Sequence, residues 1–376
     1  MTGLLIAGRM VDPRGSAALG WIAIDGDRVA ATGRGRPPGT PDIDYDGLIA
    51  PGLVDLQVNG AAGHDALEGG DALDAIDDAL ARRGVTSWLA AMPTAEDDRI
   101  AGLIAAVAGR VADPGHGLAG VHLEGPFLSP EHAGAHRREL LRAPSSGVPD
   151  HYADPSVRLV TIAPELDGAL ALIRTLRRRG VAVALGHSGA DAETARRGLD
   201  AGATLVTHVF NAMGPLGHRA PGIAGVALTD RRARPCVIAD GIHVDPIVLR
   251  LCRAAAGRRV ILVSDASAPA AAGPGTYRLA GREVTSDASG SVRTEAGALA
   301  GSGVLLDGMV RRWTRLAGAS VPAALAAASW RPAHAIGHAP LDTGAPADVV
   351  LLSEAGETVR VLRLGRRLER SRAGGG

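Results

Sequence analysis

His187 and His208 are the first residues in this chain whose setting suggests chemistry. Each closes an apolar run, VAVALGHS and TLVTHVF, and DAETARRGLDAG lies between them. That intervening stretch carries a helix-starting Asp191 and a helix-ending Gly202. The spacing predicts a strand–helix–strand unit whose two strands lie parallel and side by side. Both imidazoles then leave the sheet at the same edge, where neutral rings on rigid elements can chelate a divalent cation. For either residue alone a satisfied core histidine is the plainer reading. Equivalent positions on neighbouring strands favour ligands.

Other apolar runs end the same way. LVDLQVN offers Gln57 and Asn59, LAGVHLEG offers Glu124, CVIADGIH offers Asp240 and His243, and VILVSDAS offers Asp265. With TSWLAAMPT and VRLVTIAPE there are eight such runs, separated mostly by helical patterns such as DALDAIDDALARRG and LDGALALIRTLRRRG. Eight parallel strands alternating with helices predict a (β/α)8 TIM-type barrel, with its chemistry at the carboxyl ends of the strands. A doubly wound open sheet competes, but gives no reason for a polar residue at every strand end. Glu124, His187 and His208 supply one carboxylate and two imidazoles, a three-ligand set that leaves a coordination position for water. Such a cation lowers the pKa of its water. Asp265, from the strand that closes the circle, could take that proton and pass it on. Singly, Glu124 could be half an ion pair and Asp265 a helix cap; together on one barrel face they read as a site.

The elements around the barrel come from both ends of the chain. Residues 1–49 alternate short extended runs with turns, and Gly26-Asp27 between WIAI and RVAA marks a hairpin. PADVVLL, ETVRVLRL and GRRLE, within 346–371, have the same texture. Neither end can hold a core alone, so they are expected to pair into one small β-sandwich domain. The expected division is 1–49 and 341–376 for the sandwich and 50–340 for the barrel. GREVTSDASGSVRTEAG reads as an inserted hairpin, and SGVLLDGMVRRWTRLAG and PAALAAASWRPAHAIG as two closing helices.

Composition removes several classes of function. Acidic and basic residues balance at 40 each, so bulk charge recruits neither nucleic acid nor a membrane surface. Every basic residue is arginine; without lysine, a Schiff base and a carbamylated lysine bridging two metals are both impossible. Two cysteines, Cys236 and Cys252, are too few for a disulfide framework and fit a reduced compartment. With no signal-like opening and no membrane-spanning run, the expectation is a cytoplasmic protein.

The motifs PGLVDLQVNG (51–60), HLEGPFL (122–128), LGHS (185–188), THVFNAM (207–213), ADGIH (239–243) and VSDA (263–266) together resemble the amidohydrolase superfamily. Within it the order is similar to the N-acetylglucosamine-6-phosphate deacetylase family, over nearly the whole chain. The resemblance implies metal ligands at Glu124, His187 and His208 and a catalytic acid/base at Asp265. It implies one divalent metal, zinc first, with iron, manganese and cobalt suited to the same donors. Many amidohydrolases hold a second metal with H-x-H on the first strand; here Gln57 and Asn59 stand there, both poor ligands, so that position reads as vestigial. His136 of GAHRREL matches the family histidine placed to polarise the acetyl carbonyl, and Ala135 beside it a substrate-binding position. Asn211 and Ala212 match a pair touching the sugar phosphate, His243 a phosphate-end or sugar ligand, and Leu299, Ala300 and Gly301 a loop at the sugar. Arg219 matches an arginine that the neighbouring subunit of a homodimer lends to the phosphate; a solvated surface arginine is the plainer alternative. Arg137 in place of the usual Asn, Arg331-Pro332-Ala333 in place of Asn-Pro-Ala, and Gly214–His218 depart from the pattern, which bears on the sugar more than the reaction.

The expectation is therefore a hydrolase releasing acetate from N-acetylglucosamine 6-phosphate in amino sugar catabolism or cell-wall recycling. Its rivals are the galactosamine isomer as substrate, a cyclic amide as substrate, and a non-catalytic sugar-phosphate sensor.

Overall fold

The computed structural model describes residues 3–368; the last residues of the expected C-terminal sandwich piece, 369–376, lie outside the described residues. Eight parallel strands form one sheet in chain order: Leu53–Val58, Val85–Pro93, Leu118–Glu124, Val157–Ile162, Ala182–Leu185, Leu205–Val206, Arg234–Val237 and Ile261–Leu262. They are called barrel strands one to eight. The circle closes where Val58 bridges Ala266 in parallel, and where the Asn59 and Gly60 amides donate to the Ala266 carbonyl at 2.7 and 3.1 Å. Barrel strand one is buried at every position, as a strand covered on both faces must be. The core is almost wholly aliphatic, with Trp88 its largest fully buried side chain.

The helix Ala192–Asp200 between the two histidine strands starts where expected, with the Asp191 carboxylate accepting the Thr194 amide at 2.8 Å. The link from strand three to strand four carries no α-helix. It runs through short 3-10 turns, because prolines at 126, 130, 144 and 149 repeatedly remove the amide a helix needs. The insert after strand eight is also larger than a hairpin: Gly275–Leu279, Arg282–Ser286, Ser291–Thr294 and Leu299–Ser302 make a four-stranded antiparallel sheet. Three closing helices follow, Leu306–Ala317, Val321–Ala328 and Trp330–Ala335.

Both chain ends do join, in a single seven-stranded sheet. Leu4–Val11 pairs with Ala17–Asp25 and, in parallel, with Ile43–Pro51; the latter pairs with Val349–Leu352 from the far end. Asp25 faces Arg28 across a two-residue turn, with Gly26 at φ 61. The sheet curls on itself: the Val29 amide donates to the Ala345 carbonyl and the Ala347 amide to the Asp27 carbonyl, both at 2.9 Å. Ile6, Ile22, Ile49, Val349 and Leu351 fill the interior of this sandwich-like domain.

One buried ion pair ties the two parts together. Arg363 places its two terminal nitrogens 2.7 and 2.8 Å from the two oxygens of Asp77, on helix Gly70–Ala81. The Trp88 indole and the Gly117 amide also donate to Asp77. Removing one partner strands the other charge in the interior, so Asp77→Ala is expected to cost about 3–5 kcal/mol, read as a lower midpoint in urea unfolding.

Candidate active site

On barrel strands one and three polar side chains recur at every second position, which is why Asp55, Gln57 and Asn59, and His122 and Glu124, share the barrel interior. Glu124 ends strand three; His187 and His208 sit two residues beyond strands five and six; Asp265 sits three beyond strand eight. At this rim the backbone turns sharply. His187, His208, Phe210, Ala212 and Asp265 all have positive φ, between 23° and 79°. Conformations of this kind cost about 1–3 kcal/mol each in residues with a Cβ, and they cluster where side chains must be aimed.

The aim is convergent. His208 Nε2 lies 3.0 Å and His187 Nε2 3.3 Å from Glu124 Oε1, and the two nitrogens are 3.2 Å apart. His187 Nδ1 is 2.8 Å from the His132 carbonyl, which can only accept, so that nitrogen carries the proton and Nε2 presents a lone pair. One carboxylate oxygen and two imidazole nitrogens thus point at a common space, and all three residues are almost fully buried. Burial pushes the Glu124 carboxyl up, but hydrogen bonds and charge from His187 and His208 outweigh it and hold the group well below the ordinary range. The donor set fits a divalent cation.

His136 also faces Glu124, with Nε2 at 3.8 Å from Oε2, and it groups with Glu124 and His187 as a possible ligand set. Its tautomer argues for a different task. The Thr94 amide donates to His136 Nδ1 at 3.1 Å, so the neutral ring must keep its proton on Nε2. Burial, reinforced by His187, pulls its pKa down to about 3, so the ring stays neutral. A neutral N–H aimed into the cavity is a donor.

Gln57 and Asn59 hold the two carboxylates. The Gln57 amide lies 3.1 and 3.2 Å from the two Glu124 oxygens, and Asn59 Nδ2 donates to Asp265 Oδ1 at 2.7 Å. Burial and the nearby Glu124 charge push Asp265 up to about 6. His243 donates from Nδ1 to Asp240 Oδ2 at 2.7 Å, leaving Nε2 for the cavity.

That cavity is lined by Asn59, Glu124, Ala135, His136, His187, His208, Asn211, Ala212, His243, Asp265, Leu299, Ala300 and Gly301, which brings together most of the residues singled out in the sequence. Gln57 does not line it, but hydrogen-bonds Glu124, which does. Arg219 does not line it; the side chain stands exposed on the loop after strand six. Three features were not anticipated. His122 bonds the Leu56 carbonyl and Thr161 Oγ1, which meets Thr207 Oγ1 at 2.7 Å, a polar chain across the floor of the site. Asp55 accepts the Ser264 and Gln57 amides across the barrel seam, and burial raises its pKa to about 7. Arg137 and Arg282 also reach the cavity. The period-two spacing of His122 and Asp55 from Glu124 and Gln57 was an available signal for the first two.

No family model matches the chain. Individual relatives do. The chain is 39% identical to N-acetylgalactosamine-6-phosphate deacetylase of Escherichia coli O157:H7, over 77% of this chain and 78% of that protein. It is 37% identical to human N-acetylglucosamine-6-phosphate deacetylase, over 82% and 80%. The chain belongs to the N-acetylglucosamine-6-phosphate deacetylase family of the amidohydrolase superfamily. Among solved structures of this deacetylase family, the Mycobacterium smegmatis enzyme was captured with N-acetyl-D-glucosamine-6-phosphate as an Asp-to-Ala mutant. It superposes with a TM-score of 0.88 at 34% identity, over 98% of this chain and 99% of that one.

Proposed function

We propose that the chain hydrolyses N-acetylglucosamine 6-phosphate to glucosamine 6-phosphate and acetate, as a step of amino sugar catabolism or cell-wall recycling. The observation that carries this is the convergence of Glu124, His187 and His208 within 3.3 Å of one another, beside Asp265 in one cavity. When bound, a divalent metal on those three residues, zinc being the first choice, supplies Lewis acidity that activates water and polarises the amide carbonyl. His136 Nε2–H is placed to donate to the amide oxygen as charge develops there. Asp265, held at Oδ1 by Asn59, accepts the proton of the attacking water and returns it to the leaving nitrogen. Asn211, Ala212, His243 and the Leu299–Gly301 loop contact the sugar and its phosphate. Arg219, exposed and outside its own chain's cavity, is assigned to the phosphate of a partner subunit in a homodimer. Residues 1–49 and 341–376 are assigned to the sandwich and residues 50–340 to the barrel. The two cysteines are free and buried, and no helix among the described residues is long and apolar enough to cross a membrane, which supports a cytoplasmic setting.

A second reading, the galactosamine epimer as substrate, is favoured by the identity to the Escherichia coli galactosamine deacetylase. Acetate release from both 6-phosphates and from unphosphorylated N-acetylglucosamine tests the assignment. The gluco 6-phosphate is expected to be turned over with the highest kcat/KM. A higher value for the galacto epimer would transfer the assignment to it.

The acid limb of kcat/KM follows Asp265. The group must be ionised to accept a proton, and its folded-state pKa is raised to about 6, so activity is present above that value and falls as pH drops through it. A cation on the three ligands opposes the rise, so the limb lies at or below about pH 6. An acid limb well above that pH would count against Asp265 as the base.

A further inference from the structure

The catalytic cavity opens on one side into a shallower basin lined by Arg99, Arg137, Arg138 and Arg282, with Glu96 and Glu139. Gly134, His136, Arg137, Ala280 and Arg282 line both spaces, so the two are continuous. Three separate elements bring the arginines together. Arg99 comes from helix Asp97–Val111, Arg137 and Arg138 from the loop after strand three, and Arg282 from the insert sheet.

Four guanidiniums against two carboxylates leave the basin cationic, and much of that charge can be re-engaged. Arg282 donates one hydrogen bond, to the Ala135 carbonyl at 3.1 Å, out of five N–H groups. Arg137 is held by Glu96 at 2.5 Å and Glu139 at 2.9 Å, but those partners are half-exposed or more. Ion pairs this open to water are weakly held, so an arriving anion can exchange with them.

The position of the basin says which anion. His136, the donor assigned to the amide oxygen, forms the shared wall, whereas Asn211, Ala212 and His243, assigned to the sugar, line the catalytic cavity alone. The acyl side of a bound substrate therefore faces the basin. Hydrolysis turns that acyl group into a carboxylate, and a guanidinium fork matches a carboxylate with two parallel hydrogen bonds. We propose that the arginine basin is a small-carboxylate site that receives acetate as it leaves the reaction centre. This rests on the deacetylase reading; inorganic phosphate shares the recognition chemistry and serves as a second probe.

The test is a titration of the full-length, metal-loaded protein with isotopically labelled acetate, in wild type and in the Arg137→Gln/Arg282→Gln double variant. Product inhibition by acetate and KM for the sugar phosphate are measured alongside. The expected result is an acetate affinity weakened about tenfold, both in direct binding and in inhibition, with a much smaller rise in KM. Unchanged acetate affinity overturns the proposal. So does a KM that rises as much as the acetate constant together with weakened phosphate binding, which would make the basin a sugar-phosphate subsite. Should the double variant fold poorly, Arg282→Gln alone, at an exposed position, is expected to weaken acetate about threefold. The titration needs no turnover: arginine-dependent acetate binding without acetate release from any amino sugar would leave the site standing and sink the deacetylase reading.

Discussion

Asp265→Asn is expected to lower kcat about 10²–10⁴-fold while leaving metal content near that of the wild type. The substitution keeps the size of the side chain and can keep the hydrogen bond from Asn59 by turning its amide oxygen toward Nδ2. It removes the one property the proposed step uses, the capacity to take a proton and return it. Glu124, His187 and His208 meet without it, so the ligand set should persist. Paired kcat and elemental analysis check this. Near-normal turnover would remove Asp265 from the chemistry, and loss of metal would recast it as a ligand.

Glu124→Gln is expected to have the opposite signature, with metal and activity lost together. Glu124 Oε1 is the point on which both histidine nitrogens converge, and it carries the only negative charge among the three proposed ligands. A neutral amide leaves two imidazoles to face a dication and presents an N–H where a lone pair is needed. Metal affinity should fall by at least about 100-fold, beyond the 10–100-fold typical of disturbing a ligand's supporting partner. Elemental analysis after dialysis, with acetate release in the same samples, reads both effects. The contrast separates a ligand from a proton carrier.

The three converging residues were legible because each closes an apolar run, and an apolar run ending in a polar residue survives any uncertainty about neighbouring loops. Alternation of strand and helix then placed those ends on one face. What could not be read was non-local. That the two chain ends pair was expected, but not that the sheet they form curls until Val29 meets Ala345, more than three hundred residues away. The insert was read as one hairpin because its outer strands, Gly275–Leu279 and Leu299–Ser302, are short and mixed in polarity. The division of labour between His136 and His187 was implied by the family resemblance, but its physical basis was not legible in the local pattern. It rests on whether Nδ1 meets the Thr94 amide or the His132 carbonyl, partners supplied by loops rather than by the motifs. The hydrogen bonds that Gln57 and Asn59, expected at a vestigial second metal position, make to Glu124 and Asp265 were likewise not legible in the sequence.

The central claim is that Glu124, His187 and His208 hold one catalytic cation beside Asp265. Acetate release from N-acetylglucosamine 6-phosphate, followed before and after treatment with a chelator and then on re-addition of divalent metal, tests it most directly alongside elemental analysis. The expected result is about one metal ion per chain, loss of acetate release on chelation, and recovery on re-addition. Full acetate release from protein stripped of metal would contradict it.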